Sequence, residues 1–205
     1  MYTFSDFIAS NNSATQYGGV FYTDLFKPSM TNLTFSGNTA IYGENYAGHP
    51  AKIEFTFTTS VLEVVSGQTM GDLLTYVAYD LYDQVASTLG QRLAALQINN
   101  SNIELQEQSR ASSVDGKFSF SSTIIIGDPG TSGVLTFLTS ALDLEKYRKI
   151  FGTTLNEVVI NTPFDIRYCA RGEAQDSRIC IVCPQATYTL IPNSTNCLDC
   201  PENAS

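Results

Sequence analysis

The sequence predicts an all-β chain in three successive parts, and three observations carry that expectation. A loose repeat runs through residues 1–50, with Asn12 and Asn38 at matching places 26 positions apart. β-prone runs separated by turn material fill residues 51–168, and all five cysteines fall within residues 169–205. Composition agrees, because only 15% of residues are charged while Ser, Thr, Asn, Gly and Tyr are plentiful, as on β surfaces with neutral polar faces.

In the first part, "NSATQYGG" (12–19) returns as "NTAIYG" (38–43). Short apolar stretches, Gly and a recurring Asn at such a period read as coils of a β-solenoid, whose strands turn alternate side chains inward while Asn stacks at the bends. Periodicity alone would equally fit two unrelated Gly/Asn turns around short strands. "FSGNTA" (35–40) carries an F-x-x-N-x-A pattern and "YGGV" (17–20) a Gly-Gly-apolar one. Both resemble the polymorphic outer membrane protein repeat of β-helical surface proteins, which implies terminal coils of a right-handed, pectin-lyase-like parallel β-helix. Two positions depart from that pattern: Ala9 stands in place of Phe, and Glu44 in place of the second Gly. One or two coils cannot bury their own stacking faces, so further coils upstream or a partner surface are expected.

In the second part the period changes. "KIEFTF" (52–57) alternates polar and apolar residues, and "VLEVVSG", "LLTYVAYDLYDQVAST", "RLAALQI", "GKFSFSSTIII", "GVLTFLTS" and "EVVINTPFDIRY" follow, with "SGQTMGD", "INNSN" and "GDPGTSG" as turns. Such spacing predicts an antiparallel β-sandwich. Helix is confined to "ALDLEKYRKIF" (141–151), where Leu142, Tyr147 and Ile150 can share one face. The stretches "SGQT" (66–69), "YDQVAS" (82–87), "GKFSF" (116–120), "IGDPG" (126–130) and "VLTFLTS" (134–140) resemble the immunoglobulin-like modules of large surface proteins. With no Trp and no cysteine before Cys169, the core must rest on Phe, Tyr, Val, Ile and Leu.

The third part holds Cys169 and two Cys-x-x-Cys pairs, Cys180/Cys183 and Cys197/Cys200. Paired thiolates could complete a tetrahedral zinc site, although thirteen residues separate the pairs where ~15–20 are usual, and Cys169 would have no role. A disulfide framework is the other reading. "CPQATY" and "CPENAS", each closing a pair, resemble the cysteine-rich module of ephrin receptors and their relatives, with Ala186 where Gly is usual. That resemblance implies an oxidised extracellular module pairing Cys169 with Cys180 and Cys183 with Cys197. It leaves Cys200 for a cysteine beyond the last residue, so the module is expected to be cut short. Asn11, Asn32, Asn99, Asn193 and Asn203 each head an Asn-x-Ser/Thr sequon in turn-like surroundings, which makes them glycosylation candidates.

Several classes of function are disfavoured. A net charge of −9 removes the phosphate-neutralising attraction on which nucleic-acid binding depends. No stretch approaches the ~20 apolar residues of a membrane helix, and "MYTFSDFIAS" has neither the basic start nor the apolar core of a signal peptide. His49, the one histidine, sits in "AGHPAK" between the first two parts and is expected at the solvated surface. Asp80 and Asp83 in "YDLYD" are expected to face apart where a strand runs into a turn, and "DPGTSG" (128–133) lacks the Lys-Ser/Thr of a phosphate loop. A carbohydrate-active β-helix enzyme would need a groove of carboxylates, yet residues 1–50 offer only Asp6, Asp24 and Glu44, with Lys27 as the sole base. The expectation is therefore a non-enzymatic structural or adhesive ectodomain segment at the cell surface, without cofactor or metal. Its partner would be a protein or glycan, and the resemblance implies membrane anchoring outside this stretch. A carbohydrate-active fragment and an intracellular zinc-ribbon protein are the alternatives.

Overall fold

The repeat of the first part becomes two turns of chain lying one on the other in the computed structural model, which describes residues 2–57, 60–154 and 156–201. Strands β1 (Thr3–Ser5), β2 (Ile8–Ser10) and β3 (Phe21–Thr23) form the first turn, and β4 (Ser29–Thr31), β5 (Thr34–Ser36) and β6 (Tyr46–Gly48) the second. They pair in parallel as β1·β4, β2·β5 and β3·β6. Ser13 bridges Thr39 and Tyr17 bridges Tyr42, so the 26-residue offset shortens by one between these bridges, where "ATQY" is matched by "AIY". Gly18 and Gly43 occupy equivalent bends at φ of 55° and 65°. A Cβ there would lie 2.1 Å from the Phe21 carbonyl oxygen and 2.3 Å from that of Tyr46, which accounts for Gly at both places.

The polar side of the stack is organised by Asn38, which is fully buried. Its Oδ1 accepts from the Asn12 N–H (2.9 Å) and Asn12 Nδ2 (3.0 Å), and its Nδ2 donates to the Ala9 carbonyl (3.1 Å) and Asn45 Oδ1 (3.0 Å). Replacing Asn38 by Ala leaves the buried Ala9 carbonyl and the half-buried Asn45 without this partner, and a loss of about 2–3 kcal/mol is expected. Urea unfolding checks this; a midpoint within error of the parent protein's would show that Asn38 is dispensable. The apolar side is an aromatic column. Phe4 stacks on Phe21 (5.6 Å between centroids) and Phe21 on Tyr46 (5.8 Å), and Tyr46 meets Tyr82 of the second part at 4.7 Å.

The second part contains β7 (Pro50–Phe55), β8 (Leu62–Val64), β9 (Thr75–Asp80), β10 (Leu93–Ile98), β11 (Ile103–Glu107), β12 (Arg110–Ser112), β13 (Lys117–Ser119), β14 (Thr123–Gly127), β15 (Ser132–Thr139), helix α1 (Leu144–Phe151) and β16 (Val158–Ile166). A five-stranded sheet runs in the order β12-β10-β15-β16-β8, a three-stranded sheet in the order β13-β9-β7, and β11 pairs with β14. These pairs are antiparallel except β8·β16, which is parallel, so the expectation of a purely antiparallel arrangement is corrected at one sheet edge. The run 116–126 also breaks into two strands, because Phe120 turns into the core and a turn follows at Ser121–Ser122.

Between the sheets, Tyr76 of β9 stacks on Phe137 of β15 (4.2 Å), while Phe118 and Phe120 meet Phe137 edge-on. Offset and edge-to-face contacts of this kind add to the burial of the rings themselves. The Tyr76 hydroxyl lies 3.0 Å from Thr162 Oγ1, and burial pushes its pKa up to about 12. Helix α1 is capped by the Asp143 carboxylate, whose Oδ1 accepts from the N–H groups of Glu145 and Lys146, and it ends at Gly152 in a left-handed conformation. Leu144 and Tyr147 pack against the core, so of the expected face Leu142, Tyr147 and Ile150 the helix contributes Tyr147, while Leu142 is buried just before the helix begins.

The third part is built on short hairpin pairs: β17 (Glu173–Asp176) with β18 (Ile179–Val182), and β19 (Thr187–Tyr188) with β20 (Leu198–Asp199). It is seated firmly on the second part. The buried Ser66 hydroxyl donates to the Arg178 carbonyl (2.6 Å) and accepts from Gly127 N–H (3.1 Å), and Ile179 covers Gly67 so closely that an added Cβ would lie 2.7 Å from it. The Arg178 guanidinium reaches Glu104 (3.0 Å) and the carbonyls of Asn102 and Ile126. Arg167 and Glu173 add a bidentate pair at 2.8 Å for each contact.

Candidate functional site

The turn after β9 is where the first two parts meet. Asp80 ends that strand with its carboxylate buried, accepting from Gly48 N–H (2.8 Å), Tyr82 N–H (2.8 Å) and Gln84 N–H (3.0 Å). Gln84 in turn donates from Nε2 to the Tyr46 carbonyl at 3.0 Å. Asp83, in the turn at φ 63°, instead pairs with Lys52 at 2.8 Å. The strand-into-turn reading of "YDLYD" therefore describes the local structure, but it misses that Asp80 ties the last strand of the stack to the sheet. Burial first, and the Asp80 charge second, hold the nearby Tyr42 hydroxyl far above its ordinary pKa.

Beside this joint, Tyr17 and Tyr22 of the stack face Arg92 and Asp143 of the sheet part across a cleft of about 450 Å³, with His49 at its edge. Leu89, Ala141 and Leu142 line the apolar portion. The two tyrosine rings lie 5.5 Å apart, and the residues are 41% and 44% exposed, so each leaves part of its ring to solvent. The Arg92 guanidinium has no hydrogen bond or ion pair among the described residues.

His49 departs from the expected solvated position, since its side chain is only 22% exposed. The chain enters β7 immediately after it, and its backbone N–H is held by the Thr23 carbonyl (3.0 Å), which folds the imidazole against the joint. Its Nδ1 lies 3.9 Å from Asp24 Oδ1, and Asp24 also pairs with Lys146 of α1. Burial, followed by the Lys146 charge, lowers the His49 pKa despite the attraction of Asp24. A folded-state pKa below the unfolded one means that the unfolded chain binds the proton more readily. This contribution to stability is complete above the unfolded value of ~6.5 and is lost as pH falls through the folded value. His49→Gln is expected to flatten the decline in stability between neutral and mildly acid pH. Urea midpoints across that range test it, and an unchanged pH slope would assign the decline to other groups.

Four of the five cysteines form two disulfides, Cys169–Cys180 and Cys183–Cys197, which is the pairing that the ephrin-receptor resemblance implies. Cys200 is exposed and, among the described residues, unpaired. With three of the four sulfurs of the two Cys-x-x-Cys pairs oxidised, the tetrahedral thiolate site of a zinc ribbon lacks its ligands, and no group of three or more His, Cys, Asp or Glu placed to hold a metal is found among the described residues. The two disulfides fit an oxidising, extracellular-type environment, and among the described residues no helix is long and apolar enough to cross a membrane.

Of the sequon asparagines, Asn11, Asn32 and Asn99 are exposed, the first two at left-handed bends with φ of 56° and 54°. Asn193 is half-buried with its Oδ1 enclosed and without a hydrogen-bond partner, and Asn203 lies outside the described residues. The cleft itself escaped the sequence reading because its walls come from within residues 17–50, 88–92 and 140–143, which no local spacing connects. Compared with protein-family models, with curated proteins and with solved structures, the chain matches none.

Proposed function

We propose that this chain is a structural or adhesive, non-enzymatic segment of a secreted or membrane-anchored surface protein. In this reading the parallel stack is the terminal coils of a right-handed β-helix, the two-sheet part an immunoglobulin-like sandwich, and the third part an ephrin-receptor-like cysteine-rich module. The observation that carries it is the bracing between successive parts: Asp80 and the aromatic column join the stack to the sheets, and Ser66 and Arg178 join the sheets to the disulfide-bonded hairpin. Rigid joints of this kind suit a protein that must hold a binding surface at a fixed distance and orientation. The exposed sequons Asn11, Asn32 and Asn99 are the glycan-bearing positions on the same account.

Two measurements test it. Thiol counting under denaturing conditions should find one reactive thiol before reduction and five after it, in keeping with two disulfides and a free Cys200. The purified chain should also be retained on a panel of cell surfaces or extracellular glycans. Retention on none of them would remove the adhesive role.

A further inference from the structure

We propose that the cleft between the stack and the sheet part binds a neutral saccharide, held by ring stacking on Tyr17 and Tyr22 and by hydroxyl contacts to Arg92 and Asp143. The proposal rests on the adhesive reading and supplies its ligand class. Its size is suitable, since about 450 Å³ falls within the ~300–1,000 Å³ typical of ligand pockets. So is its chemistry. A pyranose has an apolar C–H face and a polar rim of hydroxyls, each able to donate and accept. The cleft offers flat apolar surfaces in the two exposed tyrosine rings, whose hydroxyls have no partner among the described residues, and polar groups opposite them.

The polar groups complement one another. Arg92 brings a guanidinium that has only donors and no internal partner, so it seeks acceptor oxygens. Asp143 uses Oδ1 for both helix-capping bonds, and its Oδ2 remains available to accept from a sugar hydroxyl. A donor and an acceptor on one wall can address a vicinal diol in both directions.

Charge decides between saccharide classes. The cations around the cleft are Arg92 and Lys146 and the anions are Asp24 and Asp143, and Lys146 and Asp24 already neutralise each other. With His49 uncharged near neutrality the cluster balances, leaving no surplus positive charge to reward a uronate or sialate carboxylate over an uncharged sugar. A ligand here would touch both the stack and the sheets, which places recognition at the braced joint.

The test is a ligand-observed saturation-transfer and titration experiment on the whole chain. Lactose and a mannose disaccharide serve as neutral probes, and sialyllactose and a glucuronate disaccharide as charged ones. Saturable binding of a neutral probe, with Kd near ~1 mM as for a single small sugar site, is expected. Tyr22→Ala and Arg92→Ala should each weaken it at least tenfold while preserving the circular dichroism spectrum and the two disulfides. No saturation by any probe, or equal binding by both variants, overturns the site. A tenfold preference for either charged probe overturns the ligand class. Retention of the parent protein on cells is measured in parallel. Retention without saccharide binding rejects the cleft and spares the adhesive reading, whereas loss of retention rejects that reading itself.

Discussion

Asp80→Ala is expected to lower the stability of the chain by about 4.5 kcal/mol or more, because hydrogen bonds to a charged acceptor contribute about 1.5–3 kcal/mol each and three backbone N–H groups lose theirs together. The donors are Gly48, Tyr82 and Gln84, and all are held by this one buried carboxylate. Gly48 is packed against Leu81, and a Cβ there would lie 3.0 Å from it, so the orphaned N–H has little room to turn toward water. Asp80→Asn should cost less, since the remaining amide oxygen still accepts. Urea unfolding gives the magnitude, and amide exchange gives the location. Protection should fall first at Gly48 and along β6 while the contacts around Phe137 stay closed. A loss below about 1 kcal/mol, comparable to a surface substitution, would mean that the aromatic column alone holds the joint.

The second large effect is expected at the inner disulfide. Replacing Cys169 and Cys180 together by Ser should cost about 3 kcal/mol, the loop-closure value for their separation of 11, within the ~2–5 kcal/mol typical of native disulfides. Both residues are buried, so the new hydroxyls add a desolvation cost. The same change at Cys183 and Cys197, separated by 14, carries a similar loop term but lies in the more exposed half of the module. It should therefore be milder. The two variants separate a chain-entropy effect from a packing effect. Equal losses would mean that burial around Cys169 contributes little, and no loss at either pair would mean that the bridges do not hold the module.

Sequence reasoning reached furthest where the signal was local or strictly periodic. The spacing of Asn12 and Asn38 appears as a direct side-chain contact, and "YGG" against "YGE" as two equivalent left-handed bends. The one helix, Leu144–Phe151, lies inside the stretch 141–151 to which the sequence confines helix. Non-local features were out of reach. Nothing near Arg178 in the chain indicates that it reaches Glu104, 74 positions away, and nothing near Asp80 indicates that it would be buried against Gly48. β8 pairs with β16 across most of the second part, and its parallel direction follows from the sheet that receives it. His49 was misplaced for the same reason, because its neighbours in sequence are turn-like whereas its neighbours in space are Asp24 and Lys146.

The disulfides have a mechanical consequence. Tension applied along the chain and entering the third part at Cys169 can pass directly through sulfur to Cys180, along residues 181–182 to Cys183, and through sulfur again to Cys197. β17 and the turn to Ile179 are thereby bypassed, together with the Arg178 carbonyl that accepts from Ser66, while residues 180–182 of β18 carry the load between the two bridges. Reduction would release both loops, of separations 11 and 14, and add roughly 75 Å of slack at about 3.4 Å per residue, after subtracting the bridged Cα–Cα spans of 5.3 and 5.7 Å. In the oxidised form the Arg178 contacts lie outside the path of tension, and reduction would place them in it, so they must yield before the first loop can extend.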